Sequence, residues 1–174
     1  MFKFLTRKKE IKSYNDKGKL IYYKDLEGLE HWFKYKNNNL IHFKNATGFE
    51  YWQEYDKNNN LIHFKNSKGF EYWQEYDKNN KVIKYNDTEG LEETKEYDEN
   101  SNEIFYKSNK IFERSSKYDE NNNEIFCETS KGFKCWYKYD ENNNMIYTKN
   151  NEGGEEWYKY DENNKEISRE CKKK

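Results

Sequence analysis

Residues 55–75 read YDKNNNLIHFKNSKGFEYWQE, and this stretch decides the fold because it recurs along the chain. Equivalent tyrosines are 21 residues apart, except for one interval of 20 in which the Asp is missing after Tyr35. With the tyrosine as position 1, position 8 is isoleucine in every repeat and position 19 holds all five tryptophans. The equivalent tyrosines are Tyr14, Tyr35, Tyr55, Tyr76, Tyr97, Tyr118, Tyr139 and Tyr160.

Each repeat has the sequence pattern of a β-hairpin, with two strand-like segments separated by turn residues. Residues 61–65 alternate β-branched and aromatic side chains, and residues 70–76 form a second segment rich in rings. The four residues 66–69 between them end in Gly69, which adopts left-handed conformations freely. The Asp/Asn-rich residues 56–60 predict the other turn, because Asn and Asp tolerate left-handed geometry and bond their own backbone.

Turns about every ten residues leave no room for ordinary helices. We therefore predict an all-β protein, an extended single-layer twisted antiparallel sheet of about seven to eight tandem β-hairpin repeats, or about 14–16 strands. The absence of proline agrees, since interior strands must donate to a ladder. We assign residues 1–174 to a single repeat domain with an N-terminal cap strand (1–13), repeats (14–161) and a C-terminal half repeat with a charged tail (162–174).

A four-residue turn predicts which side chains share a face. Position 8 then lies opposite position 19, so Ile62 would face Trp73, with Phe64 beside them. An odd-length turn or a bulge would regroup the faces, and this alternative stays open. In the four-residue register the other face would carry Phe70, Tyr72 and Tyr76 together with His63 and Lys65.

The composition excludes several classes of protein. Of the residues, 37% are charged and 33% are hydrophobic, with 17 Tyr, 11 Phe and 5 Trp among the latter. So few aliphatic residues normally indicate disorder, but large rings at regular positions supply the burial that folding needs. No stretch approaches about 18 consecutive apolar residues, so we expect no membrane span.

The ends and the cysteines bear on the compartment. The N-terminal residues contain no apolar segment of the kind that a secretory signal needs, so we expect a cytoplasmic protein. Cys127, Cys135 and Cys171 are too few for a disulfide scaffold. In the four-residue register Cys127 and Cys135 lie on opposite faces, so we expect reduced thiols and no bridge between them.

The sequence contains no recognisable catalytic or metal-binding motif. His42 and His63 share position 9 of adjacent repeats, about 10 Å apart across two strand spacings, which is far for a shared metal. Asp56, Asn58 and Asn60 are spaced like the start of a calcium loop but lack its glycine and its final glutamate. A net charge of −1 argues against direct nucleic-acid binding, which needs a basic surface. We expect no cofactor, no metal and no enzymatic activity.

Residues 132–140, GFKCWYKYD, resemble the YD repeats of the RHS family, in which a Tyr-x-Tyr-Asp element recurs with a period of about 21 residues. The resemblance implies hairpin repeats and covers nearly the whole chain, although Asn58-Asn59-Asn60 stands where that family usually has Gly-Asn. MORN repeats are similar short hairpins with denser glycine. The Trp-Tyr-x-Tyr-Asp element also resembles choline-binding cell-wall repeats, which implies a choline- or carbohydrate-binding or structural surface protein as an alternative.

As a whole, the chain resembles the type VI anti-CRISPR inhibitors, small proteins that block an RNA-guided RNA-cutting nuclease. This resemblance implies a protein partner, a nuclease effector, and no chemistry. Exposed ring rows also favour protein contact, since Trp and Tyr dominate interface hot spots. We therefore predict a non-enzymatic protein-binding module, an inhibitor of such a nuclease. The candidate partner-binding residues are Trp32, Trp52, Trp73, Trp136, Trp157, Tyr137 and Tyr158.

Overall fold

The structure, a computed structural model, describes residues 9–172. Residues 1–8 of the predicted N-terminal cap and residues 173–174 of the predicted tail lie outside this range. The described chain divides into two compact units, residues 9–90 (unit 1) and 91–172 (unit 2). Neither unit contains a helix, so neither has one long and apolar enough to cross a membrane. The assignment of the chain to a single domain stays a prediction.

Each unit consists of eight strands. Those of unit 1 are β1 (Ile11–Tyr14), β2 (Leu20–Lys24), β3 (Glu30–Lys36), β4 (Asn39–Asn45), β5 (Glu50–Tyr55), β6 (Leu61–Asn66), β7 (Glu71–Tyr76) and β8 (Val82–Asp87). Those of unit 2 are β9 (Glu92–Tyr97), β10 (Glu103–Ser108), β11 (Glu113–Tyr118), β12 (Glu124–Thr129), β13 (Lys134–Tyr139), β14 (Met145–Asn150), β15 (Glu155–Tyr160) and β16 (Glu166–Lys172).

Within each unit the strands follow one another in sequence order, and each pairs antiparallel with its neighbours. Each strand contacts only the strands next to it, so each unit is a single layer. The predicted fold class, an all-β antiparallel array of tandem hairpins, is confirmed.

The turn before the tryptophan strand has three residues. In the third repeat the N–H of Asn66 donates to the carbonyl of Phe70 (2.9 Å), and the N–H of Gly69 donates to the carbonyl of Asn66 (3.1 Å). Gly69 has a φ of 88°, a left-handed value that strains other residues. The loop between Asn66 and Phe70 is therefore odd-numbered, and the register moves by one residue from the predicted one.

This turn makes the predicted face assignment wrong. Trp73 lies opposite His63 rather than Ile62, and Phe64 lies opposite Tyr72. Because neighbouring residues of a strand point to opposite faces, His63 and Lys65 share the face of Trp73. The open alternative, an odd-length turn, is the one that occurs.

The Asp/Asn turn uses the same three-residue geometry, with asparagine in place of glycine. Asp56 donates its N–H to the carbonyl of Asn60, and Asn59 has a φ of 66°. One carboxylate oxygen of Asp56 accepts the N–H groups of Asn58 (2.8 Å) and Asn60 (2.9 Å). The shorter repeat has a two-residue turn instead, in which Asn37 and Asn38 both have positive φ. The backbone twist of such a turn matches the twist of the two strands that it joins.

The recurring isoleucine is the inserted residue of a β-bulge. Tyr55 lies opposite Leu61, and Glu54 lies opposite His63, so Ile62 has no partner of its own across this pair of strands. The same shift occurs in the other repeats. A bulge twists its strand and changes which residues face which side, which explains why one residue type keeps this position.

The tyrosine of position 1 bonds the main chain of the preceding strand. The hydroxyl of Tyr139 donates to the carbonyl of Glu124 (3.0 Å), and that of Tyr160 donates to the carbonyl of Met145 (2.9 Å). Tyr76 and Tyr118 make the equivalent bonds. Burial raises the pKa of Tyr139, so the hydroxyl stays protonated.

Rings of adjacent strands stack on the face opposite the tryptophans, which we call the tyrosine face. In unit 1 the centroid distances are 5.0 Å for Phe43 and Tyr51, 5.6 Å for Tyr51 and Phe64, 5.2 Å for Phe64 and Tyr72, and 5.5 Å for Tyr72 and Tyr85. Such pairs contribute about 0.5–1.5 kcal/mol each beyond the burial of area. They connect successive repeats as well as the strands of one hairpin.

Successive hairpins are also fastened at their turns. Ser67 donates its N–H to the carbonyl of Glu50 (2.8 Å), while its hydroxyl accepts the N–H of Glu50 (3.0 Å). Ala46 holds the same position one repeat earlier and makes only the backbone bond, to the carbonyl of Glu30 (2.8 Å). Alanine therefore omits one of the two bonds at that junction.

We expect Tyr139→Phe to lower the free energy of unfolding by about 1 kcal/mol, because it removes the bond to the Glu124 carbonyl and keeps the ring. Chemical denaturation measures the loss. Tyr14→Phe is the matched control, since Tyr14 has the same repeat position but is 57% exposed. Equal stability of Tyr139→Phe and the wild type would contradict a structural role for this hydroxyl.

We expect Ala46→Ser to raise the free energy of unfolding by about 0.5–1 kcal/mol, because the new hydroxyl can accept the N–H of Glu30 as Ser67 accepts that of Glu50. Thermal denaturation measures the gain. Ser67→Ala is the reciprocal variant and should lose a similar amount. Unchanged stability in both variants would show that the side-chain bond adds nothing to the backbone bond.

Candidate partner-binding face

All five tryptophans lie on the face opposite the tyrosine face of their unit, and we call it the tryptophan face. Each lies in the second strand of a hairpin, directly opposite a ring or imidazole in the first strand. Unit 1 carries Trp32, Trp52 and Trp73, and unit 2 carries Trp136 and Trp157. The opposing residues are Tyr22, His42, His63, Phe126 and Tyr147.

In unit 1 a histidine stacks on tryptophan and is held by a glutamate. The rings of His63 and Trp73 are 5.1 Å apart with planes inclined by only 8°, and His63 Nε2 lies 2.7 Å from a carboxylate oxygen of Glu71. His42 and Trp52 repeat the arrangement at 5.2 Å and 18°. The carboxylate fixes the imidazole, and the imidazole fixes one face of the indole.

The other face of each indole is open. Trp52, Trp73, Trp136 and Trp157 are 37–39% exposed although they lie in the middle of strands. A shallow depression of about 520 Å³ adjoins Trp52 and is also lined by Ile41, Glu54 and Asn59. Large rings that are half exposed and held in place are suited to contact with another molecule.

Charged side chains of both signs surround the tryptophans. Glu75 lies 3.1 Å from Lys84 across the strands, and Lys44 lies 2.9 Å from Glu50. The bond from Lys44, with that of His42, lowers the pKa of Glu50. In unit 2 the ammonium of Lys138 lies 5.6 Å from the ring centre of Tyr147. The face is therefore amphipathic and nearly balanced in charge.

The remaining two candidate residues, Tyr137 and Tyr158, lie on the tyrosine face because each follows a tryptophan in its strand. The hydroxyl of Tyr158 donates to Glu156 (2.5 Å), and this bond, with burial, raises its pKa to about 12. The hydroxyl of Tyr137 lies 3.8 Å from Cys127 Sγ. The pKa of Tyr137 is raised, and burial is the main cause. The structure thus places the tryptophans of each unit on one face of that unit and does not join these tyrosines to them.

The predicted separation of Cys127 and Cys135 is wrong. They lie directly opposite each other on β12 and β13, on the tyrosine face. The same one-residue change of register causes the difference. The sequence did contain a signal for this pairing. The two cysteines occupy positions 10 and 18 of their repeat, which in the third repeat hold the paired rings of Phe64 and Tyr72.

No group of three or more possible metal ligands occurs within residues 9–172. The Asp turns show why their carboxylates are poor ligands. Asp140 accepts the N–H groups of Asn142 and Asn144 on one oxygen and the Asn144 amide on the other. The Asn144 amide also donates to Asn164, one repeat further along. These oxygens are used by the turn and by a chain of amides between turns.

The comparisons with known proteins identify the fold. No family model matches the sequence, and no curated protein matches it. Among solved structures, the Photorhabdus luminescens Tc holotoxin pore with a mutated TccC3 is similar to 91% of this chain, with 12% identity and a TM-score of 0.71. TcdB2-TccC3-TEV is similar to 94% of it, with 10% identity and a TM-score of 0.61, and TcdB2-TccC3-Cdc42 to 92%, with 11% and 0.59.

This chain spans only 10–13% of the length of those toxin chains. At such low identity the likeness concerns the fold alone. It is consistent with a hairpin repeat of the YD/RHS type, the resemblance carried by residues 132–140. Nothing in it bears on the resemblance to anti-CRISPR inhibitors.

The turn carboxylates predict a loss of stability in acid. Bonds from turn amides, in the backbone and in the side chains of Asn123 and Asn144, hold the pKa values of Asp119 and Asp140 below the usual 3.8. A carboxyl whose pKa is lower in the folded state stabilises the fold above its unfolded value and loses this contribution as the pH falls through the folded value. We expect the free energy of unfolding to fall as the pH drops below about 4.

Asp119→Asn with Asp140→Asn tests the cause, since the amide keeps an acceptor oxygen but does not titrate. We expect the double variant to be less stable at pH 7 and less sensitive to acid, as measured by urea denaturation between pH 7 and pH 2.5. Glu120→Gln removes an exposed turn carboxylate as the control. An unchanged slope of stability against pH in the double variant would contradict the role of these turns.

Proposed function

We propose that this chain is a non-enzymatic protein-binding module and that the partner lies on the tryptophan face. The observation that carries the proposal is the row of immobilised, half-exposed indoles. A tryptophan held by a stacked imidazole, as Trp73 is by His63, loses little conformational entropy when a partner covers it. Tryptophan is also among the residues that dominate binding energy at protein interfaces.

The repeat sets the spacing of the contact. Trp52 and Trp73 lie two strands apart in unit 1, and Trp136 and Trp157 lie two strands apart in unit 2, so neighbouring indoles are about 9.6 Å from each other. A partner that covers one indole is therefore placed to reach the next. At the same position, strands β9 and β11 carry Thr94 and Ser115 instead.

The charges favour a protein over a nucleic acid. Carboxylates such as Glu50 and Glu54 lie beside Trp52 on this face and would repel phosphates. Lysines such as Lys65 lie opposite the same tryptophan, and the whole chain has a net charge of −1. Phosphate binding depends on a basic surface, whereas mixed charges around exposed rings are the usual rim of a protein interface.

Our specific proposal for the partner is an RNA-guided, RNA-cutting nuclease effector, which this chain would inhibit by occupying its surface. The support is the resemblance of this small hairpin array to the type VI anti-CRISPR inhibitors. A choline- or glycan-binding surface protein is the alternative from another class. A choline site encloses its ligand in several rings, whereas Trp52 and Trp73 each have one stacked imidazole and one open side.

We expect excess protein to inhibit RNA cleavage by a type VI effector, and Trp73→Thr with Trp136→Ser to weaken the inhibition at least about tenfold. These substitutions copy Thr94 and Ser115, which the fold already accepts at this position. Lys57→Ala, in an exposed turn, is the control. A dose–response curve of cleavage against protein concentration is the measurement.

The outcomes separate the levels of the proposal. Undiminished cleavage at excess wild-type protein would remove the nuclease inhibitor. Equal inhibition by the double variant and the wild type would remove the tryptophan face as the contact. Specific retention on immobilised choline or glycan, lost in the double variant, would replace protein binding with the alternative.

A further inference from the structure

Two of the three cysteines occupy one cross-strand pair. Cys127 and Cys135 are direct partners on β12 and β13, and they are only 4% and 9% exposed. In the first repeats of unit 1 this pair of positions holds stacked rings, as in Phe43 and Tyr51, whereas the other repeats of unit 2 pair Tyr106 with Arg114 and Thr148 with Glu156. The repeat that contains β12 and β13 has thiols at both positions, in places that face each other.

The geometry suits a covalent bond. Directly opposed residues of antiparallel strands have Cα atoms about 4.5–5.5 Å apart, and a disulfide joins Cα atoms that are about 4.4–6.8 Å apart. The pairs on both sides hold the register: Phe126 lies opposite Trp136, and Glu128 forms an ion pair of 2.9 Å with Lys134. No slip of the strands is needed to bring the sulfur atoms together.

The surroundings of the pair are polar. Arg114, on the neighbouring strand, binds both oxygens of Glu124 (2.7 and 2.8 Å) and interacts with the Cys127 thiol. The hydroxyl of Tyr137 lies 3.8 Å from Cys127 Sγ. Burial raises the pKa of the Cys135 thiol, so its attack on a disulfide, which needs the thiolate, becomes faster as the pH rises.

We propose that Cys127 and Cys135 are a site of intramolecular disulfide formation, which fastens the β12–β13 hairpin where the ring stack is missing. The oxidant would be a small disulfide of the glutathione type. The thiolate of Cys135, the more exposed of the two, attacks one sulfur of the oxidant to give a mixed disulfide and one small thiol. The Cys127 thiolate then attacks the Cys135 sulfur and releases the second small thiol. Two protein thiols are oxidised, and one small disulfide is reduced to two thiols.

This site is independent of partner binding, because the thiols lie on the tyrosine face and the tryptophans on the other. Cys171 serves as an internal reference. It is exposed near the end of β16 and has no cysteine opposite it, since its partner across the ladder is Glu156. Oxidation of Cys171 leads to adducts or to bonds between two chains, both distinguishable from a bond within one chain.

The test uses the full chain carrying Cys171→Ser, treated with oxidised glutathione. We expect intact mass to fall by two hydrogen atoms without a glutathione adduct, at a rate independent of protein concentration. Peptide mapping should find residues 127 and 135 joined, and dithiothreitol should restore both thiols. The bond should raise the melting temperature by about 5 °C.

A matched variant that also carries Cys127→Ser leaves Cys135 alone, and glutathione should remain attached to it. The same Cys171→Ser protein in urea provides a second reference, since the unfolded chain can bring any two cysteines together. If the folded protein keeps two free thiols, or carries glutathione on both, under conditions in which the unfolded chain forms the bond, the proposal is wrong.

Discussion

Stacking between rings of adjacent strands is the interaction on which the rest of the structure depends, because a single-layer sheet has no second layer to bury its apolar side chains. Only four side chains within residues 9–172 are buried: Ser108, Ser116, Cys127 and Cys135. In unit 1 the rings of the tyrosine face bury one another sideways, from strand to strand, as Tyr51 does between Phe43 and Phe64. This explains why the chain is rich in tyrosine and phenylalanine and poor in aliphatic residues, and why its composition resembles that of a disordered protein.

Such stacking requires every repeat to keep the same register, and the Tyr-Asp pair contributes to this. The tyrosine hydroxyl bonds the main chain of the preceding strand, and the aspartate closes the turn through two backbone N–H groups. The bulge at the isoleucine then returns the strand to the common pattern of faces. On the other face an indole such as Trp73 is stacked on one side only, by His63, and its other side is left half open, which is the basis of the proposed protein contact.

Much of this could be predicted from the sequence. The period, the hairpins, the turns at residues 56–60 and 66–69 and the shared face of the tryptophans all follow from residue types that repeat. The register could not be predicted, since Asn66 and Gly69 suit a four-residue and a three-residue loop equally well, and only the backbone bonds of the loop decide between them. The bulge at Ile62 could not be predicted either, because isoleucine is equally common at paired positions of a strand. A shift of the register by one residue decides which residues lie opposite Trp73 and Cys127 on the neighbouring strands.

Acrylamide quenching of tryptophan fluorescence tests most directly whether the tryptophan face is open in the free protein. All five tryptophans lie on the tryptophan face of their own unit, so the measurement reports on both units. We predict efficient quenching of all of the fluorescence, independent of protein concentration. A shielded fraction, or shielding that grows with concentration, would show that the indoles are already covered in the free protein and would contradict a face kept open for a partner.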